Sequence, residues 1–329
     1  MSERLTATVV IATCNRPDPL RGCLDTLASQ TFKPDLVIVV DSSDGDATAE
    51  MIQQTRSKLR FSLRYERSGF KSAARQRNFG AGLASSDVIV FLDDDVVLEA
   101  SFLDEVMKVF LSDPPEEIGG VSGTISNEVY SNPHGLNRFL LGFCLGQWRG
   151  SYAGKLLGPA VNFLPAGHPG AIEEVEWLPS TCTAYRRNVF LAHRFGEDFE
   201  GYSFAEDVHL SSRVHKTHRL FNTVRARVFH HDLGKSTHKD WKALGESMVV
   251  NRHAIMADVL GRNRIRDHAR LLAFELGYSS LAWLAAGANS KRISILAKLL
   301  HGKLSGFLKI WSGPTPRQPK QSIGRAEIS

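Results

Sequence analysis

The sequence predicts an α/β protein built on an open, mostly parallel sheet flanked by helices, and three observations lead there. Short apolar runs alternate four times with amphipathic stretches before Ser101, which is the pattern of βαβ units. The runs are rich in Val and Ile, as strands buried on both faces must be. The last of them, Val88 to Leu92, ends abruptly in Asp93, Asp94 and Asp95. Three adjacent carboxylates repel one another, and the carboxyl end of a strand in an open α/β sheet is where ligands bind. A hard divalent cation such as Mg²⁺ or Mn²⁺ would relieve the repulsion, with substrate phosphates and waters completing its shell. A solvated acidic turn is the competing account, and the buried strand before it favours the ion.

In chain order, Thr6 to Thr13 reads as the first buried strand, and Cys14-Asn15-Arg16-Pro17 follows it. The proline suits a helix's opening turn, and Leu20, Cys23, Leu24 and Leu27 recur at helical spacing. Asp35 to Asp41 is a second apolar strand ending in an acid, and the Asp/Ser-rich turn after it caps a helix through Ile52. Phe61 to Tyr65 is a weaker third strand, and a helix from Lys71 to Ala84 leads to the acidic strand. Beyond Ser101 a helix runs through Phe110 and stops at Asp113-Pro114-Pro115. Gly119 to Ser126 is read as a strand, Ile172 to Tyr185 as extended around Trp177, and Val224 to Phe229 as a strand running into His230-His231. Asn127 to Ala171 shows no assignable period.

From Trp241 the pattern is helical. Leu271 to Ala288 is apolar but holds Glu275, so it predicts a core or interfacial helix rather than a membrane span. Between Lys291 and Trp311, Leu296, Leu299, Leu300, Leu304, Phe307, Leu308 and Trp311 follow a helical period, with Lys291, Lys298 and Lys309 opposite. Such a helix suits an anionic membrane surface or a protein core. Gly313 to Ser329 has the composition of a disordered end. The expected organisation is therefore an α/β domain over 1–240, a helical extension over 241–312 that could contact a membrane, and a disordered tail over 313–329.

Composition narrows the class. Hydrophobic residues are 43% and charged residues 23% of the chain, values of a globular protein that exclude a disordered one. The net charge of +5 is compatible with polyanionic ligands, but the basic residues are dispersed rather than striped with aromatics, so nucleic acid is not an expected partner. Cys14, Cys23, Cys144 and Cys182 show neither metal-ligand spacing nor disulfide density, which points to a reducing compartment. No basic, apolar leader is visible at the start. A cytoplasmic location, with contact at the inner face of the cytoplasmic membrane through 291–311, is the expectation.

Four features resemble the family 2 glycosyltransferases, inverting enzymes of GT-A fold. They are the first strand with Thr13-Cys14-Asn15-Arg16-Pro17, the Val39-Val40-Asp41-Ser42-Ser43-Asp44 turn, Arg77-Asn78-Phe79-Gly80 ahead of Phe91-Leu92-Asp93-Asp94-Asp95, and a late Glu206-Asp207 pair. Each is weak alone; the ordered set is specific. The resemblance implies a GT-A type, Rossmann-like sheet with a helical C-terminal extension. It also implies a nucleotide-sugar donor, a glycan or lipid-linked acceptor, and Mn²⁺ or Mg²⁺. Asp95 and Asp93 would hold the metal, Asp93 or Asp94 the ribose or donor sugar, and Thr13 and Asp41 the nucleoside. Arg77 would contact the diphosphate unless it is a solvent-facing helix charge, and Asp41 could equally serve a turn or cap. Ser42 stands where the family often has a second acid, which leaves uracil, thymine and guanine open.

By the same resemblance Asp207 is the base that deprotonates the acceptor hydroxyl, with Glu206 beside it. Trp177 to Arg187 shapes the pocket, with Ser180-Thr181-Cys182 replacing a small Gly-Ala pair. His231 or His230 would complete the metal shell or touch the diphosphate, and neighbouring strand positions face opposite ways, so only one can. Lys235 to His238 would form a basic loop over the diphosphate. A nucleotidyltransferase is the main alternative, but where it would carry a Gly-rich, Lys/Arg-containing loop after the first strand this chain has Cys14-Asn15-Arg16-Pro17. A non-catalytic nucleotide- or glycan-binding module is the other.

Overall fold

The computed structural model describes residues 4–113, 117–128, 130–168, 170–197, 204–231, 240–285, 287 and 289–313. The proposed loop at Lys235 to His238 and the tail from 314 onwards lie outside the described residues. The first half alternates as the sequence predicts: β1 (Ala7–Thr13), α1 (Pro17–Ala28), β2 (Leu36–Asp41), α2 (Ala47–Arg56), β3 (Ser62–Arg67), α3 (Ala73–Gly82), β4 (Val88–Asp93), β5 (Val96–Leu98) and α4 (Phe102–Leu111). Then come β6 (Ile118–Ile125), α5 (Gly135–Leu145), the two-residue strands β7 (Leu156–Leu157) and β8 (Val161–Asn162), β9 (Ile172–Val175), β10 (Cys182–Arg186), α6 (Arg187–His193), α7 (Glu206–Val214) and β11 (Arg219–His230). The chain continues through α8 (Trp241–Ala254), α9 (Ile265–Leu272), α10 (Ser279–Ala285) and α11 (Ser290–Trp311), with π-helical turns at Ile255–Val259 and Ala273–Tyr278.

Among the described residues the main sheet runs β3-β2-β1-β4-β10-β6-β11-β5, with β9 also paired to β11. β1, β2, β3 and β4 are parallel to their neighbours in that group, as are β6 and β11, while β10, β9 and β5 run antiparallel to theirs. The chain leaves β1 toward β2 on one side and returns to β4 on the other. That reversal of strand order opens a crevice at the carboxyl ends of β1 and β4.

Alternation along the strands builds the two faces. Val9, Ile11, Val37, Val39, Val90 and Leu92 join a core with Leu20, Leu24 and Leu27 of α1 and Phe102, Val106 and Phe110 of α4. Val10, Ile38, Val40, Ile89 and Phe91 face the other way, against α3, α6 and α7. α3 lies unusually close to the sheet because Gly80 has no side chain: a Cβ there would sit 2.6 Å from Val10 Cγ1.

Three expectations change. Ile172 to Tyr185 is not one extended stretch, because Leu178-Pro179 interrupts it and Pro offers no ladder donor. β9 and β10 consequently lie at different places in the sheet. The segment without a period, 127–171, contains α5. The last strand is longer than 224–229, starting at Arg219, and carries a register shift between Thr223 and Arg227.

The C-terminal helices share a core with the α/β part: Leu156, Trp177 and Val208 pack with Val249, Ile255, Met256 and Phe307. α8 and α11 meet closely, since a Cβ on Gly302 would come within 1.9 Å of the Lys242 carbonyl oxygen. The apolar positions of α11 divide. Leu296, Leu299 and Phe307 are buried, while Leu304, Leu308 and Trp311 stay exposed. Lys303 is buried too, paired with Glu275 at 2.9 Å, and Arg252 holds the same carboxylate at 2.8 Å. Among the described residues no helix is long and apolar enough to cross a membrane.

Candidate active site

The registers Thr13↔Asp41 and Ala12↔Asp93 bring the ends of β1, β2 and β4 level. After Thr13 the chain turns sharply at Asn15, which adopts a left-handed φ of 58°, a conformation Asn tolerates better than most residues. The turn carries Arg16 back over the acidic cluster, 2.8 Å from Asp94 and 2.6 Å from Asp95. Thr13 Oγ1 donates to Asp94 at 2.7 Å. Burial dominates at Asp94 and pushes its carboxyl up to about 7 despite the Arg16 charge. At Asp95 burial is outweighed by hydrogen bonds from His230 and Arg16, which hold the carboxylate well below its usual range.

His230, the last residue of β11, places Nε2 3.3 Å from Asp95 and Nδ1 3.4 Å from Glu128. Burial opposes its protonation, but the two acids lift its pKa to about 10. The expectation of His231 as the metal ligand is corrected here. His231 is exposed and stands against the Phe229 ring, 5.0 Å between centroids, because strand alternation turns its neighbour inward instead. One ligand atom each from Asp93, Asp95 and His230 lies within 4.8 Å of the others. Two carboxylates and an imidazole fit a divalent ion of the Mn²⁺ or Mg²⁺ kind.

Arg77 is not the solvent-facing helix charge that was one of its two expectations. It is buried, with Nη2 2.7 Å from Asp93 and Nη1 on Glu206. It lines the cleft and is at the same time a strut between the acidic strand end and the first turn of α7. Gln76, one residue earlier, donates to the carbonyls of Thr13 and Val40 at 3.0 and 2.7 Å and so fixes α3 to both strand ends. Arg16 and Lys71 line the cleft alongside Arg77, Lys71 lying 2.5 Å from Asp44. The sequence reading assigned neither to the site; a basic residue in the loop after the first strand was the signal for Arg16.

Glu206 and Asp207 open α7 directly after Ala205, which has a left-handed φ of 62°. A non-glycine residue there stores strain that persists where the surroundings impose it. Asp207 Oδ2 accepts from the Ser180 N–H at 3.4 Å and Oδ1 from the Val208 N–H at 2.8 Å. Burial nonetheless raises its pKa above the ordinary carboxylate value. Thr13, Arg16, Asp93, Asp95, Asp207 and His230 all line one cleft of about 580 Å³, within the size range of ligand pockets.

Besides His231, two expected site residues lie outside its lining. Asp41 is fully buried, with one oxygen accepting from Ser43 N–H at 2.9 Å and the other from the Tyr65 hydroxyl at 2.7 Å. This is the turn role, and Ser42 lines the cleft in its place. Trp177 is buried in the core shared with the C-terminal helices, its Nε1–H donating to the Phe163 carbonyl at 2.8 Å. Ser180 and Thr181, a few residues on, reach the cleft.

Residues 8–164 match the model of the family described as glycosyl transferase family 2. The chain carries a family 2 glycosyltransferase domain. Among curated relatives, validoxylamine A glucosyltransferase of Streptomyces hygroscopicus subsp. limoneus is 33% identical over 128 residues. That match takes in 38% of this chain, and the chain spans only 28% of the relative's length. Among solved structures, the mannosyltransferase PcManGT from Pyrobaculum calidifontis, in complex with GDP-Man and Mn²⁺, superposes with a TM-score of 0.56 at 14% identity. It covers 94% of this chain and 88% of its own. S. aureus TarS 1-349 gives 0.52 at 14% identity, covering 92% and 81%. The fold is accordingly of GT-A type. Thr13, Arg16 and the acidic strand end lie within the family 2 match; Glu206, Asp207 and His230 lie beyond it and join them only through the fold.

Proposed function

We propose that this chain is a metal-dependent, inverting glycosyltransferase moving a sugar from a nucleoside diphosphate to a glycan or lipid-linked saccharide. One observation carries this: a single cleft at the point where strand order reverses gathers Asp93, Asp95 and His230 on one side and Asp207 on another, with Arg77 joining the two. Asp93, Asp95 and His230 would hold Mn²⁺ or Mg²⁺, the imidazole weighting the site toward Mn²⁺. Bound there, the ion supplies Lewis-acid stabilisation of the charge that grows on the departing diphosphate.

The chain's own groups do the rest. Thr13 and Ser42 sit at the strand ends beside which a nucleoside would lie. Arg16 neutralises the acids now; with an ion in its place, its forked guanidinium is available to phosphate oxygens, together with Lys71. Asp207 accepts the proton of the attacking acceptor hydroxyl, and a raised pKa makes it a stronger base near neutrality. Glu206 and Asp93, both on Arg77, keep that base at a fixed position relative to the donor. The complex of PcManGT with GDP-Man and Mn²⁺ supports the donor and metal assignments. Exposed Leu304, Leu308 and Trp311 on α11, with Lys291 and Lys298 on the same helix, support contact with the inner face of the cytoplasmic membrane, where a lipid-linked acceptor would lie.

The experiment is titration with UDP-, GDP- and dTDP-sugars, with and without Mn²⁺ or Mg²⁺, followed by calorimetry and by donor hydrolysis. Saturable, ion-dependent binding of one donor, lost in Asp95→Ala, is expected. If no donor binds in an ion-dependent way, the transferase assignment fails.

A further inference from the structure

A second cavity, of about 380 Å³, lies at the junction of α5 and α9, away from the acidic cleft. Arg262, Arg264, Arg266 and Arg270 line it, against a single carboxylate, Asp267. That carboxylate is already engaged: one oxygen accepts from the Arg264 backbone N–H at 3.1 Å, and the other stays 3.8 and 3.9 Å from Arg266 and Arg270. Arg262 forms a fixed wall, donating to the Gly158 carbonyl at 2.8 Å; burial lowers its pKa, against the opposing charges of Glu176 and Asp267 and with the help of Arg270. Gly146, left-handed at φ 72°, makes room: a Cβ there would lie 2.3 Å from the Arg270 guanidinium carbon. The carboxyl end of α5 accounts for a cation at Arg270. It does not account for Arg264 and Arg266, which stand exposed at the rim.

The rim is also apolar. Ile265, between those two arginines, is 90% exposed. α5, whose last turn borders the cavity, exposes Leu136, Phe139 and Phe143, and Trp148 just beyond it packs its ring 5.6 Å from that of Phe139. A cavity lined by four arginines and one carboxylate, beside a face of exposed aromatic and aliphatic side chains, matches a ligand that is anionic at one end and apolar at the other. Guanidinium groups bind phosphate oxygens in a fork.

We propose that the arginine-lined cavity between α5 and α9 binds the phosphate head of a membrane phospholipid, with Ile265 and the exposed face of α5 entering the apolar layer. The assignment is independent of sugar transfer and concerns a different surface from α11. It is tested on the full chain by flotation with phosphatidylcholine vesicles, with and without phosphatidic acid. Binding that requires phosphatidic acid is expected, falling roughly fivefold for each of Arg264→Ala and Arg266→Ala, both exposed positions that leave the fold intact. Phe139→Ser/Phe143→Ser should weaken vesicle binding while leaving any inorganic phosphate binding unchanged. Equal binding to both vesicle types, or wild-type binding by the Arg264→Ala/Arg266→Ala variant, would overturn the proposal. So would binding lost only in Leu304→Ser/Leu308→Ser, which assigns the contact to α11. Displacement by inorganic phosphate, with no effect of the phenylalanine substitutions, would reduce the site to one for free phosphate and overturn the lipid.

Discussion

Asp207 and His230 set the chemistry at the scale of single residues, through the protons they hold. Asp207 must be ionised to act as a base, and burial raises its pKa. The acid limb of kcat/KM should therefore have its midpoint above the ordinary carboxylate value, activity falling as pH drops through it. Asp207→Asn should lose about 10²- to 10⁴-fold in turnover while donor affinity, measured by calorimetry, stays near wild type. His230 works in the opposite sense. It carries a proton up to about pH 10 in the metal-free protein, and a ligating imidazole must be neutral. Mn²⁺ affinity should rise with pH over the neutral to alkaline range, with a proton released on binding, as calorimetry in buffers of differing ionisation enthalpy would show. His230→Gln should abolish that release; an unchanged proton count would remove His230 from the metal shell.

Elements act on the site by how closely they approach one another. α3 brings Gln76 and Arg77 to the strand ends only because Gly80 lets the helix settle on Val10 and Val40. Gly80→Val should overpack this contact and cost about 1–3 kcal/mol in denaturant unfolding, with donor binding weakened as Arg77 is pushed off Asp93. The strands and the acidic end of β4 were legible in the sequence because apolar runs report directly on burial. The partner of Arg77 was not, since Glu206 lies 129 positions away and nothing local says that a helix charge is buried. The choice between His230 and His231 was undecidable for a related reason. The register shift between Thr223 and Arg227 resets which face a late position takes, and composition does not record a bulge. Asp41 and Trp177 were read by type, as an acid at a strand end and an aromatic near a pocket; the structure uses both to hold local backbone.

For the whole molecule, the question is whether the C-terminal helices are an appendage or part of the fold that holds the cleft. Trp177 and Val208 pack with Val249, Ile255 and Phe307, and Val208 adjoins Asp207, so the position of the base depends on helices far along the chain. Those helices are joined by a buried charge cluster in which Glu275 answers both Arg252 and Lys303, while Arg252 also donates to the Ala160 carbonyl. Removing one partner from such a cluster strands the others, at a cost of about 3–5 kcal/mol, whereas replacing all of it with apolar groups is often neutral. Glu275→Ala should lower stability by that amount, and Arg252→Met/Glu275→Leu/Lys303→Met should recover most of it. If helices and sheet form one cooperative unit, the fluorescence of Trp177, isolated by replacing the other tryptophans with Phe, and the far-UV circular dichroism should report a single shifted transition in Glu275→Ala. Separate transitions, with the cleft still able to bind donor after the helices melt, would show instead that the α/β part holds Asp207 in place alone.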